Sequence, residues 1–134
     1  MHKIKLVSLG LASLALAVTL AGCSGTEEVE IKGETKSSEA VSGKITIEFF
    51  DVVDDEETSL EKLTLDALGP FEQTVEAEGD RIRVFALADA NGDGACSEGE
   101  AWAEAEARVL EDGTADPVTL ELQAKACPAA NEGQ

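Results

Sequence analysis

A twelve-residue stretch, residues 89–100, places oxygen-bearing side chains at alternate positions. It reads Asp-Ala-Asn-Gly-Asp-Gly-Ala-Cys-Ser-Glu-Gly-Glu. Ca²⁺ takes about six to eight oxygen ligands, and a chain that coils around the ion can present them from every second residue. The expected ligands are the side chains of Asp89, Asn91, Asp93, Ser97 and Glu100 and the carbonyl of Ala95. Because the three carboxylates repel one another without a cation, the spacing predicts a calcium site.

The same stretch matches the pattern D-x-D/N-x-D/N-G-x5-E and thereby resembles the calcium loop of EF-hand proteins. The resemblance implies that Gly94 makes the sharp turn and that Glu100 closes the ligand shell with two oxygens. The surroundings differ from an EF-hand, because the preceding segment is patterned as a strand and no second such loop follows. Residues 84–102 instead resemble prealbumin-like β-sandwich domains of secreted bacterial proteins, which implies a structural ion and not a sensor.

Two alternatives to calcium remain open for this loop. Asp, Asn and Gly favour tight turns on their own account, so the stretch could be a turn that binds nothing. Magnesium is the weaker competitor, because it requires octahedral geometry and gives up its water ligands reluctantly.

The N-terminus has the pattern of an export signal. Lys3 and Lys5 precede an uncharged, mostly apolar run that ends in Leu20-Ala21-Gly22-Cys23. This ending resembles the lipobox of bacterial lipoproteins, which implies cleavage after residue 22 and acylation of Cys23. An ordinary secretory peptide or a short membrane anchor is the alternative, although the run is shorter than the roughly 20 residues of a spanning helix. The resemblance places the domain at the cell envelope, on the outer membrane if the host has one.

The remaining cysteines and the net charge limit the chemistry further. With Cys23 acylated, Cys96 and Cys127 are left, and an oxidising compartment favours a disulfide between them over two free thiols. Residues 23–134 contain 28 acidic and 8 basic residues, a net charge of −20, which excludes a nucleic-acid partner. They contain no His, so His-based catalysis and His-ligated zinc are excluded as well.

Short strands must hold the loop in place. Alternating apolar residues predict strands within residues 45–49, 63–67, 71–77, 81–88 and 118–122. Residues 101–109 alternate in the same way and are predicted as a strand, although their Ala and Glu content also permits a helix. The fold class is therefore mainly β, a small antiparallel sandwich over residues 43–128 followed by a tail, residues 129–134. Residues 23–42 are polar and predict a flexible linker, with a docked strand around Val29–Ile31 as the alternative.

These features favour a monomeric, membrane-anchored envelope lipoprotein that acts as a non-catalytic binding or scaffold module with a protein or glycan partner. One alternative is a metal-free interaction lipoprotein whose acidic surface matters. A carboxylate-based hydrolase is less favoured, because the acids are spread along strand faces and the sequence has a single Trp and no Tyr. The acid run at residues 54–57 is read as a solvated loop.

Overall fold

The protein is described from a computed structural model that covers residues 25–128. The predicted signal peptide, Cys23 and the tail lie outside the described residues. Eight strands make up the domain: β1 Glu27–Lys36, β2 Lys44–Val53, β3 Glu56–Leu65, β4 Pro70–Ala77, β5 Arg81–Asp89, β6 Ala101–Arg108, β7 Val118–Glu121 and β8 Gln123–Ala124. Within residues 25–128 the structure contains no helix that could cross a membrane. The prediction of a mainly β fold is confirmed.

The strands form two sheets that pack face to face. One has three strands in the order β4-β1-β7, and the other has five in the order β3-β2-β5-β6-β8. Neighbouring strands are antiparallel, except that β1 and β7 run parallel. The alternation read from the sequence places every second side chain in the space between the sheets. The fully buried apolar side chains there include Val29, Ile31, Ile45, Ile47, Phe49, Ile82, Val84 and Leu120.

The prediction of a flexible linker over residues 23–42 is wrong for residues 27–36, which form β1. This strand is the middle strand of its sheet, paired with β4 on one side and β7 on the other. Val29 and Ile31 are 0% exposed, and Thr35, which is also buried, exchanges hydrogen bonds with Gly69. Polar residues alternate with a short apolar stripe here, so the average composition concealed a strand with one buried face.

Residues 101–108, for which the sequence permits either a strand or a helix, form the strand β6, as their alternation predicts. β6 pairs antiparallel with β5, and Ala101, Ala103 and Ala107 are buried toward the other sheet. On the opposite face, Trp102 stacks on Phe85 with 5.6 Å between ring centroids, which confirms a packing role for the tryptophan. The alanines are buried on one face only, as the period of two of a strand requires. Packing of that face overrides the helix propensity of Ala and Glu.

The acid run at residues 54–57 is a hairpin turn followed by the start of β3. Asp54 and Asp55 have φ angles of 51° and 68°, and the pairing of β2 with β3 begins on either side of them. A two-residue hairpin requires positive φ at both positions, which Asp tolerates better than most residues. The loop prediction is therefore wrong for Glu56 and Glu57, which belong to β3, and Glu57 pairs with Arg83 at 2.7 Å.

Candidate metal centre

The loop 89–100 connects two adjacent antiparallel strands, which brings its ends together. β5 ends at Asp89 and β6 begins at Ala101, with Leu87 paired to Trp102. The first and last predicted ligands, Asp89 and Glu100, therefore flank the base of one hairpin connection. This is a strand–loop–strand arrangement, as the sequence predicts, and not the helix–loop–helix of an EF-hand.

The chain passes very close to the base of the loop at Gly43. This residue has a φ of +89°, and a Cβ placed on it would lie 2.3 Å from the carbonyl oxygen of Asp89. Only glycine accommodates both the left-handed conformation and this approach. In the sequence, Gly43 marks only the start of the predicted sandwich domain. Its tie to Asp89 emerges from the pairing of β2 with β5, which no local pattern reveals.

Three of the predicted ligands converge. One carboxylate oxygen each from Asp89, Asp93 and Glu100 lies within 4.8 Å of the other two. Two oxygens on opposite sides of one calcium ion are roughly 5 Å apart, since each lies about 2.3–2.6 Å from the ion. The three oxygens are therefore close enough to share a single metal ion.

Backbone N–H groups of the loop orient the carboxylates. Asp89 accepts hydrogen bonds from the N–H groups of Gly92 at 3.0 Å and Gly94 at 2.8 Å, one on each oxygen. Asp93 accepts one from the N–H of Ala95 at 3.0 Å. Gly92 and Gly94 have φ angles of 73° and 77°, which lets the backbone coil tightly around the carboxylates. A carboxylate oxygen retains acceptor capacity after one such bond, so these contacts hold the side chains without exhausting them.

Glu100 is the buried member of the group, with 6% of its surface exposed. Its two oxygens accept hydrogen bonds from the N–H of Ser97 at 2.9 Å and the N–H of Asn91 at 3.3 Å. Ser97 and Glu100 have the spacing of a helix capping box, but here their contact lies within a loop and a strand follows. Through these two hydrogen bonds, the Glu100 carboxylate connects the beginning of the loop with its end.

The other predicted ligands lie on the more exposed side of the loop. Asn91 donates its side-chain N–H to the hydroxyl of Ser97 at 3.2 Å, and that hydroxyl lies 3.4 Å from Asp93. Ala95 is exposed, and its N–H is held by Asp93. Coordination by the Ala95 carbonyl, by Asn91 and by Ser97 stays a prediction.

The predicted disulfide is confirmed. Cys96 and Cys127 are bonded, with their Cα atoms 5.9 Å apart. Cys127 follows β8, so the bond ties the middle of the loop to the chain beyond the last strand. A disulfide is compatible with an oxidising compartment outside the cytoplasm.

The charged side chains of the loop itself are all acidic. Residues 89–100 include no Lys or Arg, and within residues 25–128 the three converging carboxylates form no salt bridge. The two β5 arginines are engaged elsewhere: Arg83 contacts Glu57 at 2.7 Å and Glu104 at 2.6 Å. The three loop carboxylates thus have no basic partner among the described residues.

A different acidic pair lies on the exposed face of the three-stranded sheet. A side-chain hydrogen bond with Glu72, together with repulsion by that carboxylate, raises the pKa of Glu30, while Lys32 opposes the shift. The pair lies on β1 and β4, apart from the loop residues.

No protein-family model, curated protein or solved structure matches this chain. The loop offers carboxylate oxygens and no imidazole or free thiolate, because it contains no His and its cysteine is oxidised. Such a set of ligands suits a hard divalent cation.

Proposed function

We propose that the protein is a lipid-anchored lipoprotein of the bacterial cell envelope whose β-sandwich is a non-catalytic binding or scaffold module stabilised by Ca²⁺ in the loop 89–100. The observation that carries the proposal is the convergence of Asp89, Asp93 and Glu100 within 4.8 Å on a loop that contains no basic residue. Without a cation the three charges repel one another, and an ion between them removes that repulsion.

Calcium is favoured over magnesium by the kind of ligands and by their placement. The proposed shell combines carboxylates, an amide, a hydroxyl and a backbone carbonyl, which suits the irregular geometry that Ca²⁺ accepts. A single unpaired loop whose residues 91–95 are exposed should bind weakly, with a Kd on the order of 10⁻⁴–10⁻³ M, as extracellular calcium modules do. The ion would be structural, because both neighbouring strands belong to one sheet and have no helix to reorient.

Calcium titration of the full chain, purified in a non-ionic detergent, tests the site. We expect saturable binding at millimolar Ca²⁺, and at least a tenfold weaker affinity for Asp89→Ala, because a carboxylate ligand is lost. Glu98→Ala is the matched control: Glu98 is an exposed acid of the same loop at a position outside the proposed shell. An equal loss from both variants would point to general charge screening, and no binding by the wild type would refute the site.

The anchor is proposed from Cys23 and the residues before it. Leu20-Ala21-Gly22-Cys23 supplies the small residues that a lipoprotein signal peptidase accepts and the thiol that receives the lipid. Each buried methylene of an acyl chain contributes about 0.8 kcal/mol, and two or more chains hold a protein stably on a bilayer. The disulfide supports an oxidising location for the domain.

Replacing Cys23 with serine tests the anchor. In a diderm host, Cys23→Ser should leave an unprocessed precursor that takes up no labelled fatty acid, because serine lacks the acceptor thiol. Ser24→Ala, one residue further along, should still be labelled and fractionate with membranes. A processed Cys23→Ser product that stays with the membrane would contradict lipid anchoring.

A further inference from the structure

The middle of the loop 89–100 is tied to the rest of the fold by the disulfide. Residues 91–95 are exposed, and within the part of the chain that the structure describes, every side-chain hydrogen bond of residues 91–97 goes to another residue of the loop. Among the described residues, the disulfide of Cys96 is the bond that connects this stretch to another element, through Cys127. The strand ends fix the base of the loop, and this bond fixes its tip.

The other end of the disulfide lies in a segment that is itself held in place. We call residues 123–128 the C-terminal strap; it pairs through β8 with Ala101 and Trp102. The indole N–H of Trp102 donates to the carbonyl of Ala126 at 3.1 Å, next to Cys127. The Lys125 ammonium lies 4.3 Å from the centre of the same indole ring. Cys127 is thus held to β6, and it can restrain the loop.

We infer that the oxidation state of Cys96–Cys127 sets the calcium affinity of the loop; this inference rests on the proposed calcium site. Cys96 stands between Ala95 and Ser97, two members of the proposed shell, so the bond restricts the part of the loop that must wrap the ion. Reduction frees that part, and binding must then order it at an entropic cost. We expect the oxidised protein to bind Ca²⁺ about tenfold more tightly than the reduced one, within the usual range of coupling between two sites.

The coupling must act equally in the other direction. If the disulfide tightens calcium binding tenfold, bound calcium makes the disulfide tenfold harder to reduce, a shift of about 30 mV for a two-electron couple. The reductant is a dithiol. One of its thiolates attacks a sulfur of the Cys96–Cys127 bond, and its second thiolate then closes a cyclic disulfide. Two electrons and two protons pass to the cysteines, which leave as thiols. Both cysteines are partly exposed, so a dithiol can reach them.

Calcium titration of two full-length proteins in detergent tests the inference. Both carry Cys23→Ser, so that no third thiol takes part, and one also carries Cys96→Ser and Cys127→Ser. We expect the Kd for Ca²⁺ to be about tenfold higher without the disulfide. Far-ultraviolet circular dichroism establishes that the serine variant retains its strands, and Trp102 fluorescence reports whether the strap is released.

A second measurement needs no folded serine variant. The Cys23→Ser protein is equilibrated in dithiothreitol redox buffers with Ca²⁺ or with chelator, and its free thiols are counted by maleimide mass shift. We expect calcium to make the midpoint potential of the disulfide about 30 mV more negative, because it stabilises the oxidised form. Glu100→Gln should abolish this shift. Equal affinities and equal midpoints, with calcium still bound, would overturn the coupling and leave the proposed function intact. No calcium binding by the oxidised protein would overturn both.

Discussion

Replacing Ile31 with alanine is expected to lower the free energy of unfolding by about 3 kcal/mol, within a range of roughly 2–5 kcal/mol for a buried aliphatic side chain. Ile31 is 0% exposed in the middle strand of the three-stranded sheet. Alanine removes three carbons and leaves a cavity between the sheets that the paired strands on both sides cannot close. Urea denaturation of the full chain at constant calcium measures the change.

Lys32→Ala is the matched control for this prediction. Lys32 is the next residue of β1, and its side chain is exposed on the opposite face. Substitution there should change stability by no more than about 0.5 kcal/mol. If Ile31→Ala were as mild as Lys32→Ala, residues 27–36 would be a linker after all, and β1 would not belong to the domain. A large difference between the two variants establishes that the folded body begins some sixteen residues before Gly43.

Most strands of the body were predictable because one face is buried and the other is exposed to solvent. Ile45, Ile47 and Phe49 show the period of two directly, and so does β6, where the same period outweighed helix propensity. β1 is only the alternative to a linker in the sequence, because its buried face carries Val29 and Ile31 before the small residues Gly33 and Thr35. β1 is a strand because it pairs with β4 and β7, which are distant in the sequence. Such pairing leaves no signal in the local sequence.

The loop was predictable in greater detail than the sheets. The spacing of Asp, Asn and Gly in the loop determines the conformation of its backbone. Asp and Asn accept hydrogen bonds from nearby N–H groups, and the glycines adopt the left-handed conformation. The convergence of Asp89, Asp93 and Glu100 follows from that coiling. The disulfide was inferred from export and from the count of cysteines. The approach of Gly43 to Asp89 and the contact of Trp102 with Ala126 depend on the tertiary fold.

Calcium should stabilise the folded domain by an amount that its affinity fixes. An ion that binds only the folded state adds RT ln(1 + [Ca²⁺]/Kd), which is about 1.4–2.7 kcal/mol at 10 mM for a Kd on the order of 10⁻⁴–10⁻³ M. For a domain of this size each kcal/mol raises the Tm by about 4–8 °C, so a rise of roughly 5–20 °C is expected. Glu100→Gln should lose most of this rise, because it removes a charge from the group of three while keeping one oxygen for the loop N–H groups.

The most direct test is a pair of melting curves of the full chain, one in 10 mM Ca²⁺ and one in excess chelator, with Mg²⁺ as a separate comparison and Glu100→Gln measured alongside. The wild type should melt at a clearly higher temperature in Ca²⁺, with a smaller rise in Mg²⁺ and little rise for the variant. Equal midpoints in Ca²⁺ and chelator for the wild type would contradict a structural calcium site in the loop 89–100.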